Sequence, residues 1–478
     1  MELLKEVEPD MESSDFENQP WYLAGRDVSR LVGDKKLSVT DVIESQLRRI
    51  DQVNSKINAI VASGSDDAYD KARQIDNGEL IAPNVGMTLT TKVNTDHVTY
   101  ASDNGVRRLA NNMPEKTAAC IEGLLESGMA MVGRTNAPAM SMRFHTDNEL
   151  HGETLNPHGQ HISSGGSSGG AAAAVAAGLC HVAQGNDVGG SIRWPAYCNG
   201  VIGLRPTIGR MVTGGTNATL RGWSAANMAT NGPIARTMED LESAFIAMNK
   251  PNWADPFWAP VPLEFSLPST PIRVALVTTD SLGLHPAVVS TVREAGRHLS
   301  DAGYIIEEVS PPMLDELFQL WTTIGAVDIN FGLIPLLSMT DDPGLSEVFE
   351  DWSPAFADDT GAGFMKAHMM RDLIIRSWNA FFADFPLVVL PGFAEPMMRR
   401  GQDREGNGAM LKVAELARYM LNIPAMGIPA MSFPMGKHID APIGVQIAAH
   451  AWREDLILSA GYALENRRGK VTPIDPQW

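Results

Sequence analysis

Residues 165–195, GGSSGGAAAAVAAGLCHVAQGNDVGGSIRWP, constrain this chain more than any other stretch. Two serine-bearing glycine turns, Gly165–Gly170 and Gly189–Ser191, bracket a run of small residues from Ala171 to Leu179. Such a run reads as a helix packed so closely on its neighbours that large side chains do not fit. Glycines at this density permit positive φ and leave backbone N–H groups uncovered. A serine after Gly-Gly can be approached closely by a small molecule, and the flanking N–H groups can face a developing negative charge. By themselves the turns also fit a phosphate cradle or a linker. Against these stand the missing G-x-x-x-x-G-K-[ST], the lack of a G-x-G-x-x-G after a clear strand, and an alanine run that is core-like rather than solvating.

With 478 residues, 44% of them hydrophobic and 20% charged, the chain can bury a large core. Its formal net charge of -19 argues against nucleic acid as a partner, since phosphates call for a basic surface. Cys120, Cys180 and Cys198 have neither metal-ligand spacing nor an even count for disulfides, so buried thiols are expected. No metal and no cofactor are expected. The N-terminus is acidic and lacks a signal-type apolar core, and the alanine run is too short to span a bilayer. The expectation is therefore a cytoplasmic protein without membrane contact.

Residues 1–20 read as an acidic N-terminal arm, and 21–478 as one large domain. Ser38 opens a helix through IESQLRRIDQVN, followed by a short strand at 57–61 and a polar helix over 66–77. VGMTLTTK (85–92) reads as a strand ending in a lone lysine; a helix at 117–128 and a buried strand at 129–133 follow. A second unit repeats the rhythm with strand 272–278, helix 285–301 and strand 303–309, and strands 386–390 and 444–448 with helix 453–466 close the chain. This predicts an α/β fold with a mixed, mostly parallel central sheet covered by helices on both faces. The region 310–380 is predicted to be helical and rich in Met, Phe and Trp, including Trp321, Phe331, Trp352, Met369 and Met370. Most of these fit ordinary core; some are expected to line an apolar substrate pocket.

Lys92, Ser167 and Ser191 form a chemically coherent set. A serine hydroxyl is a poor nucleophile until a base takes its proton. A lysine can be that base if desolvation keeps it neutral, which the end of an apolar strand allows. A second serine can relay the proton.

The motifs extend this reading. GGSSGG (165–170), GNDVGGSIRWPAYCNGVIGLRPTIGR (185–210), VGRTNAP (132–138), GPIARTMEDL (232–241) and APIGVQI (441–447) resemble the amidase-signature family of hydrolases over about residues 25–470. The resemblance implies a catalytic domain in which Ser191 forms an acyl-enzyme, Ser167 follows a cis peptide bond and bridges Ser191 to Lys92, and Lys92 is the general base. It also implies an oxyanion hole made by the N–H groups of Val188, Gly189, Gly190 and Ser191. The segment IGVQIAAHAWREDLIL (443–458) further resembles hydrolases of cyclic amide dimers.

There are departures. The family places Asp after the base; here Val93 follows Lys92 and Asn94 comes next. Arg134-Thr135-Asn136 stands where Lys-Thr-Asn is common, with Asn136 expected to brace the site from outside it. Ser168 and Trp321 are further candidates for supporting or contacting substrate. Asp187 and Arg193 flank the nucleophile, either as an ion pair that anchors the loop or as substrate contacts. His145, His151, His158, His161 and His181 are expected at the surface or in loops, since no G-x-S-x-G or H-E-x-x-H accompanies them. The expected activity is hydrolysis of a small carboxamide, anilide, carbamate or cyclic amide. Alternatives are an amidotransferase subunit that releases ammonia from glutamine for a partner, and a catalytically silent binding protein. Beyond the small-molecule amide, the one partner envisaged for the hydrolase is a second copy of the chain.

Overall fold

The computed structural model describes residues 19–213, 221–263, 271–330, 340, 342–352 and 360–478. Most of the expected acidic arm, together with Phe331 and part of the 310–380 region, lies outside the described residues.

One sheet organises the chain. Its strands, in chain order, are β1 (Ile60–Ser63), β2 (Thr88–Lys92), β3 (Ala130–Thr135), β4 (Val182–Asp187), β5 (Ile202–Arg205) and β6 (Thr230–Ala235). They continue with β7 (Arg273–Leu276), β8 (Ile305–Glu308), β9 (Leu387–Pro391), β10 (Ala430–His438) and β11 (Ala441–Ala449). The spatial order is β1-β3-β2-β4-β6-β5-β10-β11-β9-β7-β8. Parallel ladders join β3, β2 and β4 at one side and β9, β7 and β8 at the other. Every ladder between β4 and β9 is antiparallel, as is the β1–β3 pair. The sheet is mixed as expected, but not mostly parallel. The reason is that β10 and β11 form a tight hairpin, which can only be antiparallel, and the ladders from β4 through β6 and β5 to β10 and from β11 to β9 run antiparallel as well.

Alternation along the strands sends side chains into two cores. Met131, Val182, Val389 and Ile447 face helices Met238–Met248, Pro286–Asp301 and Glu454–Arg468. Ala130, Val132 and Ala183 face the opposite way, onto Gly169–Ala176. On the β9 side, Val388 and Leu390 meet Leu317, Leu320, Ile324 and Trp378 from helices Leu314–Asp328 and Gly361–Asp384. Helices therefore cover both faces.

The alanine helix is wholly buried. A Cβ at Gly170 would lie 2.5 Å from the backbone nitrogen of Asn136 and 2.7 Å from the Ala59 oxygen, so only glycine lets this helix approach the end of β3. The three cysteines are free and buried. One boundary departs from expectation: Ile57 ends the helix Val39–Ile57 instead of starting a strand. Asn58 closes that helix in the left-handed conformation, and Asn54 Oδ1 accepts from the N–H groups of Ala59 and Ile60. These bonds delay β1 until Ile60. No helix among the described residues is long and apolar enough to cross a membrane.

Candidate active site

Lys92 is the last residue of β2, a strand buried at every position, and its side chain is fully buried. Alternation aims it away from Leu89, toward the face that carries the alanine helix. Its Nζ lies 2.7 Å from Ser167 Oγ and 2.9 Å from Asn186 Oδ1, while its backbone N–H donates to Gln184 Oε1 at 3.1 Å. Burial holds the ammonium well below the ordinary lysine range, and the negative charge of Asp187 offsets that only in part. The amine is thus biased toward its neutral, basic form.

Ser167 follows a cis Gly166–Ser167 peptide and stands just before helix Gly169–Ala176. Ser191 stands just before helix Arg193–Asn199. The two turns are tied together where the Ser168 N–H donates to the Ser191 carbonyl at 3.2 Å. Gly190 adopts φ +99°, and a Cβ there would lie 2.7 Å from Met420 Cβ, so the nucleophile turn requires glycine twice over.

Asp187 holds this turn from beneath. Its carboxylate accepts from the N–H groups of Gly190 and Ile192, at 2.8 and 3.3 Å, and from both Nε and Nη2 of Arg193, at 2.9 and 3.0 Å. Arg205 Nη1 donates to the Asp187 carbonyl. Burial pushes the Asp187 carboxyl upward, but Arg193 and Arg205 overcome it and hold the group at about 2. Burial lowers the Arg205 guanidinium to about 10, which leaves it charged at neutral pH. The pairing of Asp187 and Arg193 is internal. One member of the expected oxyanion hole needs correcting: the Gly190 N–H is already donated to Asp187. Among the described residues, no acceptor engages the N–H groups of Val188, Gly189 or Ser191.

A cavity of about 380 Å³ opens between the turns and the helical region. Asn94, Ser141, Ser167, Asn186 and Ser191 line one side; Met140, Met142, Met228, Trp321 and Ile329 bring apolar surface; Asp96 and Asp328 add carboxylates. Trp321 tilts against Trp352, with ring centroids 5.8 Å apart, and its Nε1 donates to the Val188 carbonyl at 3.4 Å. Asp328 caps the short helix Trp223–Asn227 by accepting from the N–H groups of Trp223 and Ser224.

Other candidates lie elsewhere. Ser168 is buried, its Oγ has no partner among the described residues, and it does not line the cavity. Asn136 braces the loop at 148–154, donating to the Gly152 carbonyl and Thr154 Oγ1 and accepting from Asn148 Nδ2. Met369 is 72% exposed and does not line this cavity. Two of the histidines expected at the surface or in loops lie in loops, but buried rather than at the surface: His181 Nδ1 accepts from the Thr88 N–H, and His145 lies between Ser163 and Glu153. Each anchors its loop to a neighbouring segment through ring-nitrogen hydrogen bonds. Sequence reasoning missed Asn186, Gln184 and Ser141. Asn186 and Gln184 both lie in the 165–195 stretch, five and seven residues before Ser191, so proximity to that serine was the available signal.

Residues 41–458 match a family model described as Amidase. The chain is similar to an indoleacetamide hydrolase of Bradyrhizobium diazoefficiens, with 34% identity over 467 residues that cover 94% of this chain and 87% of that protein. It is also similar to an acylamidase of Rhodococcus erythropolis, with 30% identity over 91% of this chain and 94% of the relative. Among solved structures, 6-aminohexanoate cyclic dimer hydrolase complexed with substrate superposes with a TM-score of 0.82 over 96% of this chain and 99% of the other, at 24% identity. That last likeness is one of fold.

Proposed function

The chain belongs to the amidase-signature family and is an amide hydrolase that works through a serine nucleophile; on that premise we propose that Ser191 is the nucleophile, Ser167 the proton relay and Lys92 the general base. The observation that carries this assignment is a fully buried lysine amine 2.7 Å from Ser167 Oγ, beside a cavity onto which both serines open. Ser191 Oγ attacks the amide carbonyl carbon as its proton passes to Ser167 and that of Ser167 passes to Lys92 Nζ. Negative charge collects on the former carbonyl oxygen, for which the N–H groups of Val188, Gly189 and Ser191 are the proposed donors. Collapse breaks the C–N bond, and the proton returns through Ser167 to the leaving nitrogen. Water then repeats the route on the ester, releasing the carboxylic acid and restoring Ser191.

We further infer that the substrate is a neutral arylacetamide or a similar compact primary amide. A cavity of about 380 Å³ suits a bicyclic ring with a short acyl arm. Trp321, Met228 and Ile329 offer it apolar surface, and Asp96 and Asp328 disfavour a substrate carboxylate. The similarity to an indoleacetamide hydrolase over most of both chains supports the same class. The test compares kcat/KM for indole-3-acetamide, phenylacetamide, an acetanilide, the 6-aminohexanoate cyclic dimer and glutamine. Arylacetamides are expected to lead. Glutamine leading would replace this reading with the ammonia-releasing one.

A further inference from the structure

The Lys92 amine has a second partner that the reaction as written does not use. Asn186, near the end of β4, points its Oδ1 at Nζ from 2.9 Å. The polarity of that contact is set from further away. The Ser141 hydroxyl donates to Asn104 Oδ1 at 2.9 Å, so its oxygen is left to accept from Asn94 Nδ2, also at 2.9 Å. Asn94 then presents its carbonyl to Asn186 Nδ2 at 2.7 Å. With Nδ2 taken, only the carbonyl oxygen of Asn186 can face the lysine, and a carbonyl only accepts. Ser141 is aimed into this chain from a short segment in which Met140 and Ser141 both have positive φ, 53° and 59°, uncommon for residues with side chains.

We propose that Asn186 is a positioning residue for the base: by taking one N–H of the neutral Lys92 amine, it turns the nitrogen lone pair toward Ser167. The inference rests on the assignment of Lys92 as general base. A neutral amine has two N–H bonds and one lone pair. Fixing one N–H on a carbonyl that is itself held by Asn94 removes the rotation that would swing the lone pair away. The same carbonyl also accepts from the ammonium formed after proton transfer, so it serves both halves of the cycle without changing partner. Asn94 and Asn186 supply, as neutral groups, a support for the lysine that position 93, a valine, does not. Their neutrality matters, because Asp187 is already the charge that raises the basicity of Lys92, and a second carboxylate would favour the ammonium.

Asn186 also lines the cavity, so the competing role is substrate contact, and the experiment must separate the two. The pH dependence of kcat/KM is measured for the wild type, Asn186→Asp, Asn186→Leu and Asn94→Asp. Beside it runs the pH dependence of inactivation by a small sulfonyl fluoride, which reports on nucleophile activation without filling the substrate cavity. Asn186→Asp is expected to move the acid limb of both profiles upward by about one pH unit or more and to regain activity in alkali. Asn186→Leu is expected to lower both rates by about tenfold or more at neutral pH, with KM changed little. Asn94→Asp, one bond further out, shifts the limb in the same direction by less, and carries the test if Asn186→Asp does not fold. Unmoved limbs in both aspartate variants, or a change confined to KM, overturn the proposal. Lys92→Ala is run alongside. If it is silent while the limbs stay put, the positioning role alone fails; if it keeps wild-type rates, the base assignment fails first.

Discussion

The two sides of the cavity are built on different principles. The side that carries Lys92, Ser167, Asn186 and Ser191 rises from strand ends and glycine turns, and Lys92, Ser167 and Asn186 there hydrogen-bond within the protein. The facing side, with Trp321, Met228 and Ile329, is helical and apolar and depends on packing. Polar groups with fixed partners are poor at adapting, while an apolar wall tolerates exchange of volume. The contrast assigns chemistry to the first side and selectivity to the second.

The largest effect should come from the polar side. Ser191→Ala and Lys92→Ala are each expected to lower kcat by about 10³-fold or more. Steady-state kinetics check the rates, and peptide mapping of a fluorophosphonate adduct checks the nucleophile; an adduct on a different serine would refute the assignment. Next comes stability. Asp187→Asn leaves two buried guanidinium groups without their carboxylate, and a loss of about 3–5 kcal/mol is expected in chemical denaturation. A variant as stable as the wild type would show that the turn is held by other means.

Acid should weaken the fold at both ends of β4, at His181 just before it and at Asp187 where it finishes. His181 is fully buried, and burial, aided by Arg236, holds it at about 3 against 6.5. Because the folded value is depressed, the unfolded chain takes up the proton first. Its contribution is therefore whole above pH 6.5 and drains away as the pH falls toward 3. Asp187, depressed from 3.8 to about 2, adds a loss below pH 4. The urea midpoint is expected to drop steadily from pH 7 to pH 4, and a flat profile would contradict the burial described. For activity the sign differs in origin: rates rise with pH as the Lys92 ammonium, held below its ordinary range, gives up its proton.

The apolar side should respond in KM. Trp321→Ala is expected to raise KM for an arylacetamide by about tenfold and to leave sulfonyl fluoride labelling of Ser191 nearly intact. Equal losses in labelling and binding would erase the division between the two walls, since Trp321 also donates to the Val188 carbonyl. Smallest of all, Met369→Ser, at a side chain 72% exposed, should change neither KM nor kcat measurably.

These walls were unequally legible in the sequence. Glycine and serine at fixed spacing announce a tight turn with an accessible hydroxyl, so Ser167 and Ser191 stand out, and a lysine ending an apolar strand is conspicuous. Asn186 is not, because its role depends on Asn94 and Ser141, which reach it across the fold. Strand β10 carries Pro434 and passes for a loop until its pairing with β5 and β11 is seen. The helical wall was harder still: Trp321, Trp352 and Met369 share composition and period, yet only Trp321 lines the cavity. Hydrophobic residues look alike until neighbours decide which of them are covered.

The amine and the Ser191 turn leave the sheet from the ends of two adjoining parallel strands, β2 and β4. Their separation is metered by ladder bonds, not by a hinge or a docking of domains. Neighbouring strands lie about 4.8 Å apart, a spacing that side-chain exchange on the opposite wall leaves untouched. The apolar surface is thus free to drift toward new acyl groups while the proton route keeps its length. Heating should accordingly extinguish turnover together with the sheet, not ahead of it.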